Sequence, residues 1–106
     1  MPSYKYIVLT NPRPGCEAEF NRWYDERHLP DVMKTSGIVS AQRYEVAMGP
    51  SGAETPIRTY LTIFEIDTAD LPETVAELMA RVGTDAMPIS EALDTASAYA
   101  GFYKAR

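Results

Sequence analysis

Residues 17–31 read Glu17-Ala-Glu-Phe-Asn-Arg-Trp-Tyr-Asp-Glu-Arg-His-Leu-Pro-Asp31, and they hold the chain's only histidine and only tryptophan. Phe20, Trp23, Tyr24 and Arg27 recur at i, i+3, i+4 and i+7, the spacing of one helix face. Asn21, Asp25 and His28 follow the same spacing on a neighbouring face. Glu17 and Glu19 occupy the first turn, where the helix dipole favours negative charge. The pattern predicts a helix over 17–27. Pro30 disfavours helical geometry at Leu29, so the helix is expected to end or bend there, with His28 at its end. A short turn through Asp31–Lys34 follows, and Ser36-Gly37 stops it.

Strands flank this helix. Tyr4–Thr10 is β-branched and aromatic and runs into Asn11-Pro-Arg-Pro-Gly15, which is turn chemistry. Both of its faces are apolar, which suits a strand buried on two sides. Ile38–Met48 reads as the second strand, with Ile38, Ser40, Gln42, Tyr44 and Val46 on one face and Val39, Ala41, Arg43, Glu45 and Ala47 on the other. Gly49–Pro56 is a polar connection, long for a hairpin and expected to be mobile. Arg58–Asp67 is the third strand. Asp70-Leu-Pro-Glu73 is a helix start signal, with Leu71, Val75, Leu78, Met79 and Val82 as an apolar stripe and Gly83 as the stop. Thr84–Leu93 is ambiguous, with Ile89–Leu93 suited to one helical turn. Ala96–Tyr103 reads as the last strand.

The order β-α-β-β-α-β, with two right-handed crossovers, predicts an α+β, ferredoxin-like fold: a four-stranded antiparallel sheet with two helices on one face. A length of 106 residues fits a single domain over 1–106. The first and third strands are apolar on the face that the helices leave open. A homodimer, two sheets facing each other as a barrel, is therefore expected.

The net charge of −5 argues against nucleic acid and against an anionic membrane surface. The single cysteine, Cys16, excludes an internal disulfide and a thiolate metal cluster within one chain. The first ten residues have too short an apolar run for a signal peptide or a membrane span, so the chain reads as cytoplasmic. It carries no phosphate loop, dinucleotide fingerprint, metal signature or activated serine, so its chemistry is expected to need no cofactor and no metal.

Asn11-Pro-Arg-Pro-Gly15, then Phe20-Asn-Arg-Trp-Tyr-Asp-Glu-Arg-His-Leu-Pro30, Ser36-Gly37 and Ala41-Gln-Arg-Tyr44 resemble the EthD-like branch of the dimeric α+β barrel superfamily. The resemblance covers about residues 7–46. It implies a ferredoxin-like dimer with a pocket in each protomer between sheet and helices, and a histidine, here His28, facing that pocket. Relatives include polyketide dehydratases, a muconolactone methylisomerase-like group and proteins linked to breakdown of ethers and aromatics. The wider superfamily holds cofactor-free monooxygenases and haem enzymes, so the resemblance narrows fold more than reaction.

His28 is the sharpest candidate, because an imidazole titrates near neutrality. The plain alternative is a histidine that caps the helix. Asp25, three residues before it, can orient the imidazole as in a catalytic His–Asp pair, or can be a solvated acid or a partner of Arg22 or Arg43. Asp31 is a second possible orienter. Trp23 and Tyr24 are pocket walls or plain core, with the Tyr24 hydroxyl a potential donor. Arg43 either binds a ligand carboxylate or pairs with an acid such as Asp25 or Glu45. Asn11, Tyr60, Thr62 and Tyr99 are candidate pocket lining. The function these residues suggest is cofactor-independent acid/base catalysis, a dehydration or isomerisation of a small aromatic or polyketide-like substrate. The alternatives are a cofactor-free oxygenase, a ligand-binding accessory protein, or haem binding through His28.

Overall fold

Strand β1 (Ser3–Thr10) is hydrogen-bonded on both edges, antiparallel to β3 (Tyr60–Asp67) on one side and β4 (Tyr99–Lys104) on the other. Strand β2 (Ile38–Glu45) pairs antiparallel with β3, giving the sheet order β2-β3-β1-β4. The two strands with apolar residues on both faces are thus the central ones, as burial on two sides requires. The computed structural model describes residues 2–49 and 57–106. The polar connection expected at Gly49–Pro56 lies, from residue 50 on, outside the described residues. Among the described residues no helix is long and apolar enough to cross a membrane.

One helical path crosses the sheet between β1 and β2: α1 (Glu17–Trp23), a π turn (Tyr24–His28) and α2 (Leu29–Met33). The expectation that Pro30 ends or bends the helix at Leu29 is corrected, since Leu29 is helical (φ −56°, ψ −50°) and the path runs on through Pro30. The π turn is what permits this. The Leu29 amide reaches back five residues to the carbonyl of Tyr24, and Pro30 then lies in the first turn of α2, where an amide hydrogen is dispensable. His28 consequently sits inside the path and not at its end.

The second crossover helix is α3 (Leu71–Arg81). Asp70 caps it, its Oδ1 accepting from the Glu73 amide at 3.1 Å. Leu78 is buried, but Met79 and Val82, expected in the apolar stripe, are exposed. Val82 has already left the helix (φ −59°, ψ 128°). The single turn expected at Ile89–Leu93 is a hydrogen-bonded turn and not a helix, the Leu93 amide donating to the Ser90 carbonyl at 3.2 Å; Leu93 also bridges Pro12 antiparallel, while Met87 and Ala92 are buried in the core. β4 starts at Tyr99, not Ala96, and β2 stops at Glu45, not Met48.

Register decides which side chains meet. Tyr6 lies opposite Phe64 on β3 and Phe102 on β4, with ring centroids 5.4 and 4.3 Å away, so a stacked aromatic row crosses three strands beneath the helices. In β2 an irregularity between Ile38 and Ser40 inserts one residue. A bulge of that kind switches the side-chain alternation. Ile38 therefore shares the helix-facing side with Ala41 and Arg43, correcting the regular alternation expected from Ile38 to Val46. The core has two parts. Tyr6, Val32, Ile38, Phe64, Ile66, Leu78 and Met87 form one; Phe20, Tyr24, Tyr60 and Ala92 form the other. Leu29 packs on both.

Gly37 and Gly83 both take the left-handed backbone, at φ +92° and +80°. A Cβ at Gly37 would lie 3.2 Å from Thr74 Oγ1 and 3.3 Å from the Asp67 carbonyl, whereas a Cβ at Gly83 meets nothing within 4 Å. Gly83→Ala should cost about 1 kcal/mol of stability, the backbone preference alone. Gly37→Ala should cost about 2 to 3 kcal/mol, because crowding adds to strain. Urea unfolding of the two variants side by side checks this, and equal losses would contradict it.

Candidate active site

The π turn brings three rings together, those of Trp23, Tyr24 and His28. In a turn closed by i→i+5 bonds, residues five apart become neighbours. Trp23 and His28 accordingly stack, with centroids 4.6 Å apart and planes 29° from parallel. Tyr24 meets the same imidazole edge-on at 5.0 Å. Trp23 Nε1 donates to the Pro88 carbonyl at 3.1 Å, which ties the indole to the irregular segment after α3. His28 Nδ1 is buried and has no hydrogen-bond partner.

Burial lowers the His28 pKa from 6.5 to about 4, because the imidazolium loses its hydration there. The Asp31 carboxylate opposes this shift without overcoming it. Asp31 is itself buried, bonded to Arg27 Nε at 2.6 Å, with Lys34 Nζ at 3.8 Å. At neutral pH the ring is therefore uncharged, with a free acceptor when its proton rests on Nε2.

Tyr24 is 1% exposed, and its hydroxyl accepts from Thr62 Oγ1 at 2.9 Å. Desolvation pushes the phenol up to about 12, although the Thr62 bond and the charge of Arg43 pull the other way. It stays protonated. Tyr60 lies beside it on β3. Its hydroxyl accepts from Asn21 Nδ2 at 3.0 Å and donates to Glu17 Oε1 at 2.9 Å.

Arg43 enters this cluster from β2. Its guanidinium carbon is 4.4 Å from the Tyr24 ring centroid, 5.0 Å from Tyr60 and 5.8 Å from Phe20. Nη1 donates to Asp25 Oδ1 at 2.9 Å and Nη2 to Asn21 Oδ1 at 2.8 Å, while Nε is buried without a partner. Of the two roles open to Arg43, pairing with an acid is the one observed.

Trp23, Tyr24, His28, Arg43 and Tyr60 are thus brought together. Asp25 is not an orienter of His28: within the wider turn, residues three apart diverge, and Asp25 swings out to Arg43 with its side chain 60% exposed. Asp31 is the acid that acts on the imidazole. Asn11 lies elsewhere, its amide engaged by the backbone, with Oδ1 accepting from Thr59 N at 2.7 Å and Nδ2 donating to the Ile57 carbonyl at 3.0 Å. Tyr99 is on the opposite face of the sheet, in register with Leu9 and in contact with Tyr103 through their hydroxyls. Both are corrected as pocket lining. Phe20 and Asn21 belong to the cluster but were not singled out in the sequence. The signal for Asn21 was its four-residue spacing from Asp25, which lets the two grip one guanidinium.

No family model and no curated protein matches the chain. Solved structures do. A protein of the EthD (ethyl tert-butyl ether D) family from Bacillus halodurans C-125 superposes with a TM-score of 0.55 at 15% identity, over 98% of this chain and 99% of its own. A protein from Shewanella loihica PV-4 carrying a provisional monooxygenase name gives 0.60 at 15%, over 99% and 95%. An EthD-like protein from Ralstonia eutropha JMP134 gives 0.50 at 16%, over 98% and 92%. The chain has an α+β, ferredoxin-like fold and shares it with these proteins, two of which are EthD or EthD-like by name.

The depressed His28 pKa has a sign that can be read in stability. The unfolded chain takes up the proton near pH 6.5 and the folded chain only near 4, so stability falls as pH drops through that window and is unaffected above it. The loss should approach about 3 kcal/mol. Urea unfolding of the native protein and of His28→Leu across the window isolates this contribution. Parallel pH curves for the two would place His28 in water.

Proposed function

We propose that the protein is an EthD-like, cofactor-independent acid–base enzyme with His28 as its proton carrier, acting on a small hydroxylated aromatic or polyketide-like molecule. The observation that carries this reading is the half-buried, neutral imidazole with a buried, unpartnered Nδ1, set among aromatic rings. A neutral imidazole accepts a substrate proton, and the nearby Asp31 carboxylate favours the imidazolium that results. That proton then goes to a leaving hydroxyl, which departs as water, or to a different carbon of the same molecule. Tyr24, held protonated, polarises a substrate oxygen. A cofactor-free oxygenase is the second reading, favoured by the monooxygenase name of one fold neighbour.

The single histidine makes the test direct. Hydroxylated aromatic compounds are screened by the shift of the His28 imidazole resonances, and those that bind are assayed for turnover. His28→Gln, which cannot carry the proton, should lower turnover about 100-fold or more. Oxygen uptake in step with turnover would support the oxygenase instead. Binding without turnover would make the protein a ligand-binding accessory.

The sheet face away from the helices carries Ile7 and Leu9 of β1 and Leu61 and Ile63 of β3, with Tyr44, Tyr99 and Tyr103 exposed around them. Among the described residues nothing covers it. The working form is a homodimer that buries this face against its copy. Sedimentation at micromolar concentration should give a dimer for the native chain and a monomer for Ile63→Lys.

A further inference from the structure

A proton taken up by His28 makes an imidazolium, and a positive charge in a half-buried ring needs negative charge near it. The charged groups around the ring supply little. Asp31, three residues on in α2, is the carboxylate that acts on it, but that charge is already answered by Arg27 Nε at 2.6 Å and Lys34 Nζ at 3.8 Å. Arg27 is held in turn by the Asp85 carbonyl, which accepts from its Nη2 at 2.7 Å. From β2, Arg43 adds another positive charge, 4.4 Å from the centroid of the Tyr24 ring. Tyr24 itself meets the imidazole edge-on.

Trp23 presents a face. Its indole lies along the imidazole, with centroids 4.6 Å apart and planes 29° from parallel. A cation within about 6 Å of an aromatic centroid is drawn to the negative face of the ring, and indole has the strongest such face among side chains. Nε1 donates to the Pro88 carbonyl at 3.1 Å, which fixes the indole in place and polarises it toward a more negative ring. With a neutral imidazole the stack is an ordinary aromatic contact. With an imidazolium it gains the cation–π attraction, so it is stronger in the state that proton transfer creates. We propose that Trp23 is a positioning residue for the proton transfer, its indole face anchored by Pro88 so as to stabilise the imidazolium formed on His28. This rests on the reading of His28 as the proton carrier. The competing role for Trp23 is a wall that only keeps water from the ring.

The chain has one tryptophan and one histidine, so the first can be altered and the second observed without interference. Growth on tryptophans bearing one, two or three ring fluorines keeps the shape and the N–H of Trp23 while weakening its face stepwise. The His28 titration midpoint, followed by its imidazole resonances, should fall at each step, by about one unit over the series. The upper limb of each titration places the midpoint, so the fold need not survive below it. With a substrate found by the imidazole screen, kcat should fall about threefold over the series and KM stay within about twofold. If Trp23 is only a wall, fluorination leaves the midpoint unchanged, and Trp23→Leu raises it by letting water back to the ring. That result overturns the proposal and leaves His28 as proton carrier. A midpoint that falls while kcat holds removes His28 from the chemistry, and the proposal with it.

Discussion

The π turn at Tyr24–His28, where the Leu29 amide reaches back to the Tyr24 carbonyl, organises the helical side of this molecule. By reaching five residues back it inserts one extra residue into the helix between Trp23 and Leu29. Three consequences share that cause. Trp23 and His28 come into register and stack. Asp25 rotates away from the imidazole toward β2, where it meets Arg43. Pro30 falls at a helix start, where its missing amide hydrogen does no harm. A regular α-helix over the same residues would bring Asp25 beneath His28 and set Pro30 against an occupied turn. The site's chemistry and the helix's continuity are therefore one structural decision. π turns are rare because their hydrogen bonding is less favourable, and they concentrate where function requires a displaced side chain.

Arg43 shows how the fold accommodates a charge inside an aromatic cluster. Its side chain is only 15% exposed, and an isolated guanidinium in such a place would be strongly destabilising. The faces of Tyr24, Tyr60 and Phe20 supply negative quadrupole, worth about 0.5 to 2 kcal/mol when partly desolvated. Asp25 and Asn21 supply the hydrogen bonds. Asn21 in turn donates to Tyr60, which donates to Glu17, so one chain of polar groups runs from the start of α1 across β3 to β2. This network joins helix to sheet at the edge farthest from β4. The stacked row of Tyr6, Phe64 and Phe102 performs the equivalent task across the middle of the sheet.

The element order and the ferredoxin-like arrangement were legible in the sequence because they follow from periodicities that the chain keeps. Apolar faces on both sides of Tyr4–Thr10 and of the strand ending at Asp67 marked those strands as buried on two sides, and they are the central pair. Asp70, Pro72 and Gly83 marked α3 by cap, first turn and stop. The site was only partly legible, and the losses come from two irregularities of a single residue each. The π turn changed which residues face one another in α1, so that Asp25 and His28, compatible at α-helical spacing, part company. The irregularity after Ile38 shifted the alternation of β2, which determines that Ile38 and Arg43 point the same way. Neither insertion leaves a mark on local composition, since both are stabilised by partners distant in sequence. Asn11 and Tyr99 were misplaced for another reason. Polar residues at strand ends are chosen as often to tie backbone as to meet a ligand, and Asn11 holds Thr59 and Ile57.

The strongest argument for a working site is where hydrogen-bonding capacity goes unused. Polar side chains elsewhere in the described residues are matched even in small details, as when Thr74 Oγ1 donates to Thr68 Oγ1 at 3.0 Å or Arg81 Nη1 to Thr35 Oγ1 at 3.0 Å. Among those same residues the buried side-chain atoms without a partner are Thr10 Oγ1, His28 Nδ1 and Arg43 Nε. Each such atom costs about 1 to 3 kcal/mol of desolvation that no bond returns. Two of the three belong to side chains packed on the Tyr24 ring, and the third is on β1 directly opposite Tyr60. A sequence selected for stability alone could set Leu or Met at 28 and remove its share of that loss. His28 keeps an acceptor and Arg43 a donor, both packed on the Tyr24 ring and neither satisfied from within.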